Sequence, residues 1–149
     1  MMSKPKRPVL FEVTRKPHHK TKSEQRLHYR LLGRVYAILR DEDWQVRYCR
    51  LCDNPKLRRK LELEDEVIGT VDYETQIIYI DFRYDVLSTV VHECLHIIVT
   101  DRFGSGKAQY EAEEKEVRRL EKLMMEYMTR TQATRLHHLI SARLMERKM

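Results

Sequence analysis

Long apolar runs are missing from this chain of 149 residues: none approaches the ~18 residues that a membrane-spanning helix needs, so no membrane partner is expected. Cysteine is scarce. Cys49, Cys52 and Cys94 form an odd, thin set, which excludes the dense disulfide framework of a small secreted domain and suits reduced thiols. Cys49-Arg50-Leu51-Cys52 is half of a zinc-knuckle pattern, but no second pair follows it. Residues three apart in a strand also point to opposite faces, which argues against chelation there. The opening Met1-Met2-Ser3-Lys4-Pro5-Lys6-Arg7 is charged but has no apolar core behind it. A secretory signal is therefore not expected, and a cytoplasmic location is. Internal repeats and low-complexity tracts are lacking too.

What is present fits one soluble domain with one core: 42% hydrophobic and 35% charged residues in a chain of single-domain length. The net charge of +6 is unevenly spread. Residues 1–60 hold 17 Lys/Arg against 6 Asp/Glu, a balance of +11; residues 61–149 hold 12 against 17, a balance of −5. A basic front half attracts polyanions through screened long-range forces, so nucleic acid is a possible partner of the N-terminal half. That bears on partners and not on chemistry.

Residues 1–22 carry three of the four prolines and many basic residues, and read as a partly flexible arm with a short strand over Val9–Val13. His18-His19 in this arm read as part of a solvated tail. From Ser23, the recurrence of Leu27, Leu31, Leu32, Val35, Ile38 and Leu39 predicts a helix to about Arg40. Trp44 to Cys52 alternates apolar and polar residues as a half-buried strand does, and Asn54-Pro55 ends it. Val67–Asp72 and Gln76–Phe82 predict two more strands around the turn Tyr73-Glu74-Thr75. Asp85 is a good N-cap for a helix over Val86–Val99, closed by Phe103-Gly104. Further helices are expected over Lys107–Met128 and from Thr131 or Thr134 towards Met149. The last should serve packing or dimerisation, or else cover the cleft. The fold class is α+β, with an N-terminal helix, a small and mostly antiparallel sheet of three or four strands, and helices behind it. The organisation is an arm at 1–22, a domain at 23–128 and a C-terminal helix at 129–149.

The helix over Val86–Val99 is nearly all apolar and belongs in the core. Its polar residues Thr89, His92, Glu93 and His96, with Thr100 beyond, follow one narrow stripe. Buried polar groups without partners cost roughly 1–3 kcal/mol, so something polar or metallic must face them. His92 and His96 lie one turn apart on the same face, and their imidazoles can converge on one ion. Glu93 stands beside them, rotated off the ligand position, where it can take a proton from a metal-bound water. The expected ion is Zn2+. Cys94, inside the motif, reads as small core filler.

A catalytic zinc usually takes a third protein ligand and keeps one position open. The metzincin pattern fails, because Val99 and Arg102 stand where Gly and His are needed. On a helical wheel with Glu113 at 0°, Val117, Leu120, Met124 and Tyr127 fall at about 40°, 340°, 20° and 320°. Glu113 is therefore centred on the inward face and is the first choice of ligand. Glu114, near 100°, comes next; Glu111, Glu114 and Glu121 are expected to face solvent.

His92-Glu93-Cys94-Leu95-His96 followed by Glu113, in the order helix, small sheet, motif helix, glutamate helix, resembles the gluzincin branch of the zincin metallopeptidases. The resemblance spans roughly residues 23–128. It is similar to the single-domain minigluzincins and to the ImmA/IrrE-type peptidases, although the Ala-Asn that follows the glutamate in the latter is absent. The resemblance implies a zincin-like fold and a zinc endopeptidase acting on peptide or protein, with His92, His96 and Glu113 as ligands and Glu93 as general base. It also implies a substrate paired along the edge strand, taken to be Gln76–Phe82. Tyr110 and Tyr127 are candidates for stabilising the transition state. The alternative is a nucleic-acid-associated regulator with a structural or degenerate zinc site.

Overall fold

The computed structural model describes residues 21–51, 54–61 and 67–144. The Val9–Val13 strand, His18-His19, Cys52 and the helix end beyond Leu144 lie outside the described residues. The architecture is α+β. Helix α1 (Lys22–Arg40) starts at Thr21, whose Oγ1 accepts from the Glu24 N–H at 3.1 Å, and buries the face that the leucine spacing marks. Strand β1 (Gln45–Cys49) follows, then a short helix α2 (Pro55–Lys60). Asn54 caps α2 and Pro55 begins it, the helical position that best tolerates proline; the same pair read as a strand terminator in the sequence.

Strands β2 (Gly69–Asp72) and β3 (Ile77–Asp81) form a hairpin whose turn is held by Asp72, its Oδ1 accepting from the N–H groups of Glu74 and Thr75. The sheet order is β1-β3-β2, with β1 parallel and β2 antiparallel to β3. The sheet is therefore mixed, and the edge-strand expectation for Gln76–Phe82 is overturned: β3 is the central strand. Its run Ile77-Ile78-Tyr79-Ile80 is apolar on both faces, the pattern of a strand covered on both sides, and four of its five residues are buried. The edge beside the motif helix is β2, whose residues are all half-buried.

Helix α3 (Val86–Val99) opens at Asp85, whose carboxylate accepts from the Ser88 N–H. A single 3-10 turn (Thr100–Arg102) leads to α4 (Lys107–Tyr127) and α5 (Arg130–Arg143). The last helix starts slightly earlier than expected, because Thr129 and Gln132 form a reciprocal capping box. Val46, Ile78 and Ile80 from the sheet meet Leu87, Val91 and Leu95 of α3, Val117 and Met124 of α4, and Leu136 and Ile140 of α5 in one core. Helix α5 packs on α1, α3 and β1. Its Arg143 donates to the carbonyls of Leu39 and Arg40, satisfying acceptors that the end of α1 leaves open. Among the described residues no helix is long and apolar enough to cross a membrane.

Leu136 is fully buried where α5 meets the core. Leu136→Ala should lower the unfolding free energy by about 2–5 kcal/mol, measured by urea titration. A loss below about 1 kcal/mol would mean that α5 is not part of the cooperative core.

Candidate metal centre

Helix α3 runs through the core, and Thr89, His92, His96 and Thr100 of its polar stripe each find a partner. Thr89 Oγ1 donates back to the Asp85 carbonyl at 2.6 Å. Thr100 Oγ1 donates to Glu113 Oε1 at 3.2 Å. Between them the rings of His92 and His96 lie 5.0 Å apart, centre to centre, at the wall of a cleft of about 810 Å³. The facing wall is α4, and it supplies carboxylates to both rings.

Both Nε2 atoms point at the same oxygen. Glu114 Oε1 is 3.2 Å from His92 Nε2 and 2.8 Å from His96 Nε2. Both Nδ1 atoms are also engaged: His92 Nδ1 lies 2.8 Å from Glu121 Oε1, and His96 Nδ1 lies 2.6 Å from Glu113 Oε2. His92, His96 and Glu114 thus form a group that could hold a metal ion, their ligand atoms all within 4.8 Å of one another. Glu113 is brought to the centre as the sequence indicated, but onto the back of the His96 ring. A carboxylate there fixes the ring's orientation and raises its basicity.

Glu114 and Glu121 turn inward against expectation, leaving 22% and 13% of their side chains exposed. The apolar arc of α4 marks where it packs on the core. The α3 stripe meets α4 on its flank, at about 80–100° on the same wheel, where these two residues share a side. Glu111 is exposed as expected. Tyr127 is placed away from the cleft, its hydroxyl donating to Glu24 Oε1 at 2.6 Å. Tyr110 lies on the cleft with its ring parallel to that of His96, 6.1 Å between centres.

Glu93 is buried beside the rings and faces β2. A methyl group at Gly69 would come within 2.8 Å of Glu93 Oε2 and 2.7 Å of Thr89 Cγ2, so the strand backbone and the carboxylate touch because residue 69 has no side chain. A glycine inside a strand is the sequence signal of such a close approach. Burial raises the Glu93 carboxyl to about 7, against the opposing pull of the two imidazoles. For His92, burial disfavours the charged ring, but the Glu114 and Glu121 carboxylates outweigh it and raise its pKa to about 10. His96 shifts upward through the same balance of burial against Glu114 and Glu113. Glu114 is held far below the usual carboxylate range: burial opposes this, and the bonds from both rings and Arg118 prevail.

No family model matches the chain, and no curated protein or solved structure matches it either.

The raised His92 pKa has a direct consequence for metal-free protein. A ring that ionises near 6.5 when unfolded and near 10 when folded stabilises the fold fully below about pH 6.5, and this contribution is lost as pH rises through about 10. The melting temperature of metal-free protein should therefore fall between pH 6.5 and 10, and His92→Gln should flatten that decline. A wild-type profile already flat across this interval would contradict the coupling of His92 to its two carboxylates.

Proposed function

We propose that this protein is a zinc-dependent endopeptidase in which His92, His96 and Glu114 hold the ion and Glu93 is the general base. The observation that carries the reading is the shared oxygen, Glu114 Oε1, within hydrogen-bond distance of both Nε2 atoms while both Nδ1 atoms are backed by carboxylates. Two imidazoles and one carboxylate beside an open cleft suit a catalytic zinc; an oxygen-only set would suit magnesium or calcium. Bound zinc supplies Lewis acidity and brings the pKa of a coordinated water towards ~7.

The remaining work falls to the chain's own residues. Glu93, raised to about 7, accepts a proton from the attacking water near neutral pH and passes it to the departing amine. The outer edge of β2, unpaired among the described residues, pairs with an extended peptide, bringing its backbone past Gly69 to Glu93. Tyr73 and Tyr110 line the same cleft, and their hydroxyls, protonated at neutral pH, are donors for the substrate carbonyl oxygen. Glu113 and Glu121 orient the two rings from behind.

Three substitutions separate these roles. Glu93→Gln should keep one zinc per chain and lose roughly 10²–10⁴-fold in hydrolysis of a peptide library. Glu114→Ala should lose the metal by elemental analysis, whereas Glu113→Ala should keep it with roughly 10–100-fold weaker affinity. Zinc retained in Glu114→Ala and lost in Glu113→Ala would reverse the ligand assignment. A Glu93→Gln variant as active as wild type would end the peptidase reading.

A further inference from the structure

Part of the sequence's charge asymmetry lies on one helix. Along the outer face of α1, Lys22, Arg26, Arg30 and Arg34 recur every fourth residue, and all four are exposed. At about 1.5 Å per residue the row is ~18 Å long. The exposed positions of α1 include no acidic residue; Glu24, half-buried, accepts from Tyr127 at the edge of the helix.

Some exposed guanidinium groups of the protein sit against neighbouring carboxylates. Arg118 pairs with Glu114, Arg119 with Glu116 and Arg40 with Asp41. The four cations of the row have no ion-pair partner among the described residues. A row of like charges left uncompensated over three turns repels itself, and a polyanion relieves that repulsion.

Two further features decide which polyanion. Tyr29, one turn on from Arg26 at the edge of the row, has 61% of its surface exposed, the largest exposure among the large hydrophobic residues described. One turn on, Gly33 leaves the backbone bare: a methyl group there would meet nothing within 4 Å. The exposed ring, tilted against that of His28 at 5.6 Å between centres, stands beside the basic row and next to the bare backbone of Gly33, an arrangement in which an unpaired base stacks on the aromatic ring while its phosphates follow the cations. A membrane surface fits less well, because the apolar face of α1 is already buried in the core and has nothing to insert between lipids.

We propose that the outer face of α1 binds single-stranded nucleic acid, its phosphates along Lys22, Arg26, Arg30 and Arg34 and one base stacked on Tyr29. This surface shares no residue with the metal centre, so its test stands apart from the peptidase reading.

The test is fluorescence anisotropy of a labelled twenty-nucleotide oligothymidine against the full chain over a range of salt concentrations. Each phosphate contact contributes about −0.7 to the slope of log affinity against log salt. The triple variant Arg26→Ala/Arg30→Ala/Arg34→Ala should therefore make the slope shallower by about 2 units. Tyr29→Ala should weaken binding roughly tenfold with the slope unchanged. Arg119→Ala, a paired cation on another helix, should bind as wild type does. All the altered side chains are exposed, and unchanged far-ultraviolet dichroism confirms folding; Arg30→Gln alone, losing one contact's worth of slope, serves if the triple variant does not fold. The proposal is overturned if the α1 variants bind with wild-type affinity and slope. It is also overturned if duplex of the same length binds more tightly than the single strand, or if vesicles of acidic phospholipid bind and the oligonucleotide does not.

Discussion

Two imidazoles on one buried helix share a single carboxylate oxygen on the next, and the packing of α3 against α4 depends on that contact. Helix α3 is otherwise hydrocarbon, and a polar stripe on such a helix must be met by partners of the right chemistry. Helix α4 meets it with Glu113, Glu114 and Glu121, each touching a ring nitrogen. With Glu93 this makes four carboxyl groups around two imidazoles, an excess of acid even when both rings are charged. The excess is reduced in two ways: burial raises Glu93 to about 7, and Arg118 donates to the second oxygen of Glu114 at 2.8 Å. The region thus holds its negative charge on the ring-facing carboxylates and keeps a protonatable group beside them.

Much of this was legible from residue order because it rests on local rules. The helical recurrence of Leu27 to Leu39, the Asp85 cap and the apolar run of α3 are all readable within a few turns, and each element is found where its pattern lies. The pairing of His92 with His96 needs only the helical period. What failed depended on how elements meet. The apolar arc of α4 marks its core face, but a helix presents its core face and its neighbour-facing flank at different angles. The apolar arc therefore marks Glu113 as inward, leaves Glu114 as the second choice of ligand and points Glu121 to solvent, whereas all three face the rings. The central position of β3 had a local signal in its two-faced apolar run. The contact between Gly69 and Glu93 links residues far apart in sequence, and a lone glycine marks only one side of it.

The two halves of the charge distribution also occupy different structural settings. On α4, Glu113, Glu114 and Glu121 face histidine, and Glu114 and Glu116 also face arginine. Lys22, Arg26, Arg30 and Arg34 of α1 have no such counterpart among the described residues, and they stay on the outside of a helix whose inner face, with His28 bonded to Gln132 of α5, is tied into the body of the protein.

The sheet has two outer edges, and they are unequal. Along β1, Val46 makes an isolated bridge to Leu144, so the chain's own C-terminal segment stands against that side. Along β2 no other strand among the described residues pairs with the outer margin, which lines the cleft. A second molecule that lengthened the sheet at this margin would block the entrance to the cleft, so any self-association by strand addition would hide the Glu93 side of the protein from everything else in solution.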